Sequence, residues 1–169
     1  MSRFDIRPID VGGHSNLPTY KWAVQAGTAT FIKAGEPVKV LNTSGSSVTL
    51  LSDGDPTGSQ IMFVGIAASD SDNTATATGF VNVYVPLLGA TYEAKALTAA
   101  NADTEAEINN LRGKRVVLNL DSSGVYTVDT AATDATVNGI LIVGGDPQGS
   151  KIHFMIRSSF LNIQGPQTS

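Results

Sequence analysis

The chain has 169 residues, with 15 acidic and 11 basic side chains, a formal charge of −4 and no cysteine. That length suits one domain able to bury a real core. The charge balance leaves no electrostatic footprint for a nucleic-acid backbone or an anionic membrane, and the missing thiols exclude a disulfide framework and a thiolate site.

Residues 1–20, MSRFDIRPIDVGGHSNLPTY, differ in character from the rest of the chain. Pro8 and Pro18 cannot donate a backbone hydrogen bond, and Gly12 and Gly13 are conformationally permissive. Only Phe4, Ile6, Ile9 and Val11 offer apolar anchors, so the segment reads as an extended N-terminal arm, mobile on its own. It lacks the charged-then-apolar pattern of a secretory signal, and no stretch of the chain approaches the ~18 apolar residues of a membrane-crossing helix.

From Lys21 onward short apolar runs alternate with turn residues. The runs are Thr28–Lys33, Val38–Leu41, Val48–Leu51, Ile61–Ala67, Phe80–Val85, Thr91–Ala96, Arg115–Leu120, Val125–Val128, Gly139–Val143 and Lys151–Ile156. Aromatic residues are only 7% of the chain, so the core must come from small and β-branched side chains, an alphabet that suits strands. Many short strands at this spacing predict a mainly β fold, a small barrel or sandwich, over residues 21–163. In FVNVYV, Val81, Val83 and Val85 share one face and Phe80, Asn82 and Tyr84 the other, and one of these faces is core. A single helix is expected at 105–112, because Thr104 and Glu107 have capping-box spacing, Ile108 and Leu111 share a face, and Gly113 can close the C-terminus. Residues 164–169 read as a flexible tail.

One decapeptide recurs: GDPTGSQIMF at 54–63 and GDPQGSKIHF at 145–154. In each, Asp caps local N–H groups, Pro presets φ and Gly closes the turn, so Asp55, Pro56, Gly58 and Asp146, Pro147, Gly149 read as structural turns between strands, each the tip of a β-hairpin. The repetition is a hairpin placed at related positions in one core, an independent arrival at a good turn, or a pair of ligand loops. A phosphate cradle is a poor fit, since proline removes one of the N–H groups it would need.

Other chemistry is thin. Asp70-Ser71-Asp72-Asn73 opens like a calcium loop, but the positions that need Gly and a bidentate acid hold Ala75 and Val81. His14 and His153 have no zinc spacing, and no serine lies in a nucleophile elbow. Arg112, Lys114 and Arg115 follow the helix C-terminus, where cations are expected, and lack the interleaved aromatics of a nucleic-acid platform. The expectation is a non-enzymatic protein without cofactor, metal or small-molecule substrate.

The run FVGIAASDSDNTATATGFVNVYVPLLGATYEAKA at 63–96, followed by a short acidic helix and LRGKRVVLN at 111–119, resembles the head decoration, or capsid cement, proteins of tailed bacteriophages. The matching features are Gly65-Ile66-Ala67, a variable Asp/Thr segment, Gly79 before alternating valines, Pro86 with Gly89, Glu93-Ala94-Lys95, Leu111 with Gly113-Lys114, and a closing strand–GDP–strand. The resemblance implies a homotrimer made in the bacterial host cytoplasm that binds the major capsid protein on the outer surface of the expanded shell and stiffens it. It also implies a docking role for the arm, with Phe4, Ile6, Ile9, Val11, Tyr20 and Trp22 as contacts that add to the shell by strand addition. The alternatives are a carbohydrate- or host-surface-binding β module, for which Tyr20, Trp22, Tyr84, Tyr92 and Tyr126 are the available aromatics, and a tail or baseplate component.

Overall fold

The computed structural model describes residues 6–10, 17–27, 31–41, 47–56, 63–85, 89–134 and 138–157. Among the described residues, eleven strands and one α-helix follow in chain order: β1 (Ile6–Asp10), β2 (Thr19–Val24), β3 (Pro37–Val40), β4 (Ser47–Leu50), β5 (Phe63–Ala67), β6 (Gly79–Tyr84), β7 (Thr91–Lys95), α1 (Glu105–Leu111), β8 (Arg115–Leu120), β9 (Tyr126–Asp129), β10 (Ile140–Asp146) and β11 (Lys151–Ile156). The fold is mainly β, as the alternation of apolar runs and turns required.

Strands β2-β4-β3-β5-β6 close into a five-stranded barrel. Its interior holds Trp22, Val24, Ile32, Val38, Val40, Val48, Val64, Ala67, Val81 and Val83. On β6 the buried residues are Gly79, Val81 and Val83 while Phe80 and Asn82 face solvent, so the valine face is the core face. The remaining strands form a sheet in the order β1-β7-β11-β10-β8-β9. That sheet curls until Ala96, just past β7, makes a parallel bridge to Val128 of β9. Helix α1 lies against β10, with Ile108 and Leu111 buried in the sheet's core. Both halves of its capping box are present, and Gly113 takes a φ of +81°, so the helix ends where the glycine allows, at Leu111 with Arg112 as its cap.

Three expectations change. No strand is found over residues 31–33, the described part of the Thr28–Lys33 run. The arm is not free over its described part: Ile6–Asp10 is a strand antiparallel to β7, and Ile6 is fully buried in the same core as Tyr92 and Phe154. A strand absent from the predicted runs is present, because β2 already begins at Thr19, and Trp22 on it is 2% exposed inside the barrel. The tail at 164–169 lies outside the described residues.

The two units are tied by backbone bonds as well as by packing. Gly54 N donates to Leu118 O, Leu118 N to Asp55 O, and Gly139 N to Pro56 O, so the segment after β4 runs along β8 of the other unit. Leu51, Phe63 and Ile66 of the barrel half lie in the same apolar cluster as the sheet's interior. These bonds and the three shared apolar residues link a barrel core and a sheet core that otherwise form separate clusters.

Candidate functional site

The densest charge cluster sits where β1 meets the sheet. Arg7, Glu93 and His153 stand in register across β1, β7 and β11. Glu93 is 7% exposed. Its carboxylate accepts from Arg7 Nε at 2.8 Å and lies 2.6 Å from Arg7 Nη2, 3.1 Å from Lys151 Nζ and 3.1 Å from His153 Nε2. Burial pushes the Glu93 pKa up, but hydrogen bonds with Lys151, Arg7 and His153 outweigh it and hold the carboxyl below its ordinary value. A carboxylate with three cationic or polar partners is a clasp for β1 rather than a poised acid or base.

Strand β1 is also blunted on its outer edge. Ile6 N donates to Gly35 O in the barrel half, and by strand alternation the next outward donor belongs to Pro8, which has none. Over its described residues 6–10, the segment predicted as a docking arm is therefore paired within its own molecule. Ile6 is core, Pro8 guards an edge, and Ile9 at 41% exposure is the one described anchor with a free face. Phe4 and Val11 lie outside the described residues. Among the aromatic candidates, Trp22, Tyr92 and Tyr126 are buried, Tyr84 is half-buried and Tyr20 is 51% exposed, so these five do not form an exposed stacking platform.

The two GDP copies do different work. The second is a hairpin tip, as expected: β10 and β11 pair through Asp146 and Lys151, the Asp146 carboxylate accepts from Gln148 N at 3.1 Å, and Pro147–Gly149 form one turn of 3₁₀ helix. The first is not a hairpin, because β4 and β5 both pair with β3 and not with each other. Asp55 is buried, accepts from Ser52 N at 3.0 Å and pairs with Lys39 Nζ at 2.9 Å, and the Asp55–Pro56 peptide is cis. Its backbone forms the joint to β8 through Leu118. Gly58 lies outside the described residues. A shared sequence thus serves a solvent-facing tip in one place and an internal joint in the other, because Asp-Pro is a local backbone device indifferent to what it joins.

The calcium-like loop is spent on structure. Asp70 Oδ1 accepts from Ala34 N at 2.8 Å, Ser71 Oγ accepts from Ile32 N at 2.9 Å, Asn73 Nδ2 donates to Gln25 O and Gly27 O, and Asp72 accepts from Phe80 N. These bonds moor the loop to the barrel. An open cleft of about 490 Å³ beside it is lined by Phe31, Lys33, Glu36, Asn73 and the Ser123-Gly124 turn. Among the described residues no group of three His, Cys, Asp or Glu side chains could hold a metal ion. His14 lies outside the described residues, and His153 is engaged by Glu93. The Tyr92 hydroxyl is buried without a hydrogen-bond partner among the described residues, and burial pushes its pKa up.

The fold defines a mainly β protein in which a closed barrel and a curled sheet each pack a core, with Leu51, Phe63 and Ile66 of the barrel half joining the sheet's cluster. No family model, curated protein or solved structure matches the chain.

Proposed function

We propose that this chain is a decoration protein of a tailed-phage capsid, a non-enzymatic virion component that binds the major capsid protein on the outside of the expanded shell, as a homotrimer. The observation that carries this reading is where the family-like residues fall. Segments 63–96 and 111–119 supply β5, β6, β7, the end of α1 and β8, the strands through which the barrel passes into the sheet. A protein that stiffens a shell must resist deformation, and that resistance comes from paired backbone and a continuous packed interior. The bonds between residues 54–56 and β8, and the apolar cluster drawn from both units, fit that requirement.

Docking belongs to the folded surface, since β1 is already paired within its own molecule. The test is to mix purified protein with expanded and unexpanded shells and pellet them. Co-sedimentation with expanded shells at a fixed stoichiometry, and a solution mass of three chains, are the expected results. Failure to pellet with either form of shell counts against the reading.

A further inference from the structure

The two units share one topology. In the barrel, the first strand (β2) pairs in parallel with the third (β4) and antiparallel with the fifth (β6), while the second (β3) pairs with the third and fourth (β5), and the fourth with the fifth. Shifting every label by five reproduces the sheet: β7 meets β9 in parallel at Ala96 and Val128, β7 pairs with β11, β8 with β9 and β10, and β10 with β11, all antiparallel. Aligning the two parallel bridges, Val24–Val48 and Ala96–Val128, superposes Thr19-Tyr20-Lys21-Trp22-Ala23-Val24 on Thr91-Tyr92-Glu93-Ala94-Lys95-Ala96. Both segments begin Thr-Tyr.

The match breaks in one place. On β7 the outer edge of Thr91–Ala94 is covered by β1, with Ile6 opposite Ala94, Arg7 opposite Glu93 and Pro8 opposite Tyr92. On β2 no described strand covers the equivalent edge, and β4 meets only Ala23 and Val24. The consequence is visible in burial: Tyr92 is 1% exposed and its counterpart Tyr20 is 51% exposed. Val85 N donates to Pro18 O across β6, so by alternation Tyr20 and Trp22 direct their backbone groups to β6, and Thr19 and Lys21 direct theirs outward. Their counterparts Thr91 and Glu93 direct theirs to β1. Charge is reversed at the central position, where Lys21 replaces Glu93.

We infer that the outer edge of Thr19–Trp22 is a strand-acceptor site for an extended segment of a partner protein, carrying an acidic residue between two apolar ones. The acid pairs with Lys21 as Arg7 pairs with Glu93, and of the flanking apolar residues the one opposite Tyr20 covers its exposed ring, as Pro8 stands opposite Tyr92, while the other stands opposite Trp22, which the barrel already buries. Main-chain bonds to Thr19 and Lys21 supply the attachment, and the lysine selects the charge. The acceptor edge is a property of the fold and stands whether or not the chain decorates capsids.

The chain's own β1 provides the probe. Two peptides of residues 4–10 are titrated into the ¹⁵N-labelled full chain, one carrying Arg7→Glu and one unaltered, up to about 5 mM, where even a millimolar complex is mostly formed. The acidic peptide should shift the amides of Thr19 and Lys21. The unaltered peptide should bind there about two- to fivefold more weakly, the factor an exposed ion pair gives, and Lys21→Glu should reverse the order. The inference is overturned if neither peptide perturbs Thr19–Lys21, if the shifts fall on Thr91–Lys95 instead, or if Lys21→Glu leaves the order unchanged. Lys21 is solvent-exposed, so the variant should fold, and the two peptides on the unaltered protein give a separate reading.

Discussion

Replacing Ile6 by alanine separates a packed strand from a free arm. Ile6 is 0% exposed, sits opposite Ala94 in register and belongs to the cluster that holds Tyr92, Ile152 and Phe154. Truncating a buried isoleucine costs about 2–5 kcal/mol, the range reflecting how far the site can collapse. Strand β1 is a short edge strand, free to relax, so the cost should fall near about 2–3 kcal/mol. For a chain of this size each kcal/mol moves the melting midpoint by about 2–4 °C, giving a drop of about 4–12 °C. Ile9, on the same strand but 41% exposed, is the internal control, and Ile9→Ala should change stability by no more than about 0.5 kcal/mol. Urea unfolding followed by far-UV circular dichroism reads both variants over all strands, with the fluorescence of Trp22 as a separate probe of the barrel core. If Ile6→Ala melts no lower than Ile9→Ala, β1 does not pack against β7.

The Glu93 clasp should be acid-labile in a defined direction. Its folded pKa is depressed, so its contribution is complete above the ordinary glutamate value of about 4.3 and is lost as pH falls through the lower folded value. Glu93→Gln should cost about 1–3 kcal/mol at pH 7, less than a fully buried pair because the Arg7 side chain is 56% exposed, and the gap between the two proteins should narrow on acidification in pH-dependent urea melts. Gly145→Ala should destabilise by about 1–3 kcal/mol, since an added Cβ meets the Lys151 carbonyl and lies 2.5 Å from Ile108 Cδ1, and protection of the α1 amides from hydrogen exchange should fall with it. Asp55→Ala should cost about 1–3 kcal/mol by removing the buried carboxylate that binds Ser52 N and Lys39 Nζ, whereas Asp146→Ala, at a hairpin tip, should cost about 1 kcal/mol or less; equal costs would contradict the different roles of the two turns.

Where local chemistry decides local structure, the sequence is readable. Thr104 and Glu107 place the helix because a capping box satisfies its own end. The alternating valines of β6 give a core face, because side chains on a strand have no other way to divide. The N-terminal strand is not readable, for a physical reason: Pro8 suits an unpaired arm, but it is also what an edge strand places on its open side. Whether such a strand is paired depends on β7, far along the chain. Trp22 misleads in the same way, since an aromatic beside a supposed arm looks available until the barrel closes around it.

The repeated decapeptide shows what sequence identity measures. Its copies lie between β4 and β5 and between β10 and β11, which are not equivalent places in the two units; the equivalents would be the connections β9–β10 and β5–β6. Their likeness reports a shared turn chemistry and says nothing of the duplicated topology. Along β2 and β7 the real correspondence is two residues long, Thr-Tyr at 19–20 and 91–92, because pairing and burial constrain a strand to a residue class rather than to an identity. What the two units preserve is the order of strand pairing. The position where that order meets a reversed charge, Lys21 against Glu93, is also one where an edge covered by β1 gives way to an edge that no described strand covers. A glutamate at position 21 would have offered β1 a competing slot on its own chain, so the lysine directs β1 to β7 and leaves β2 to a strand of the opposite charge.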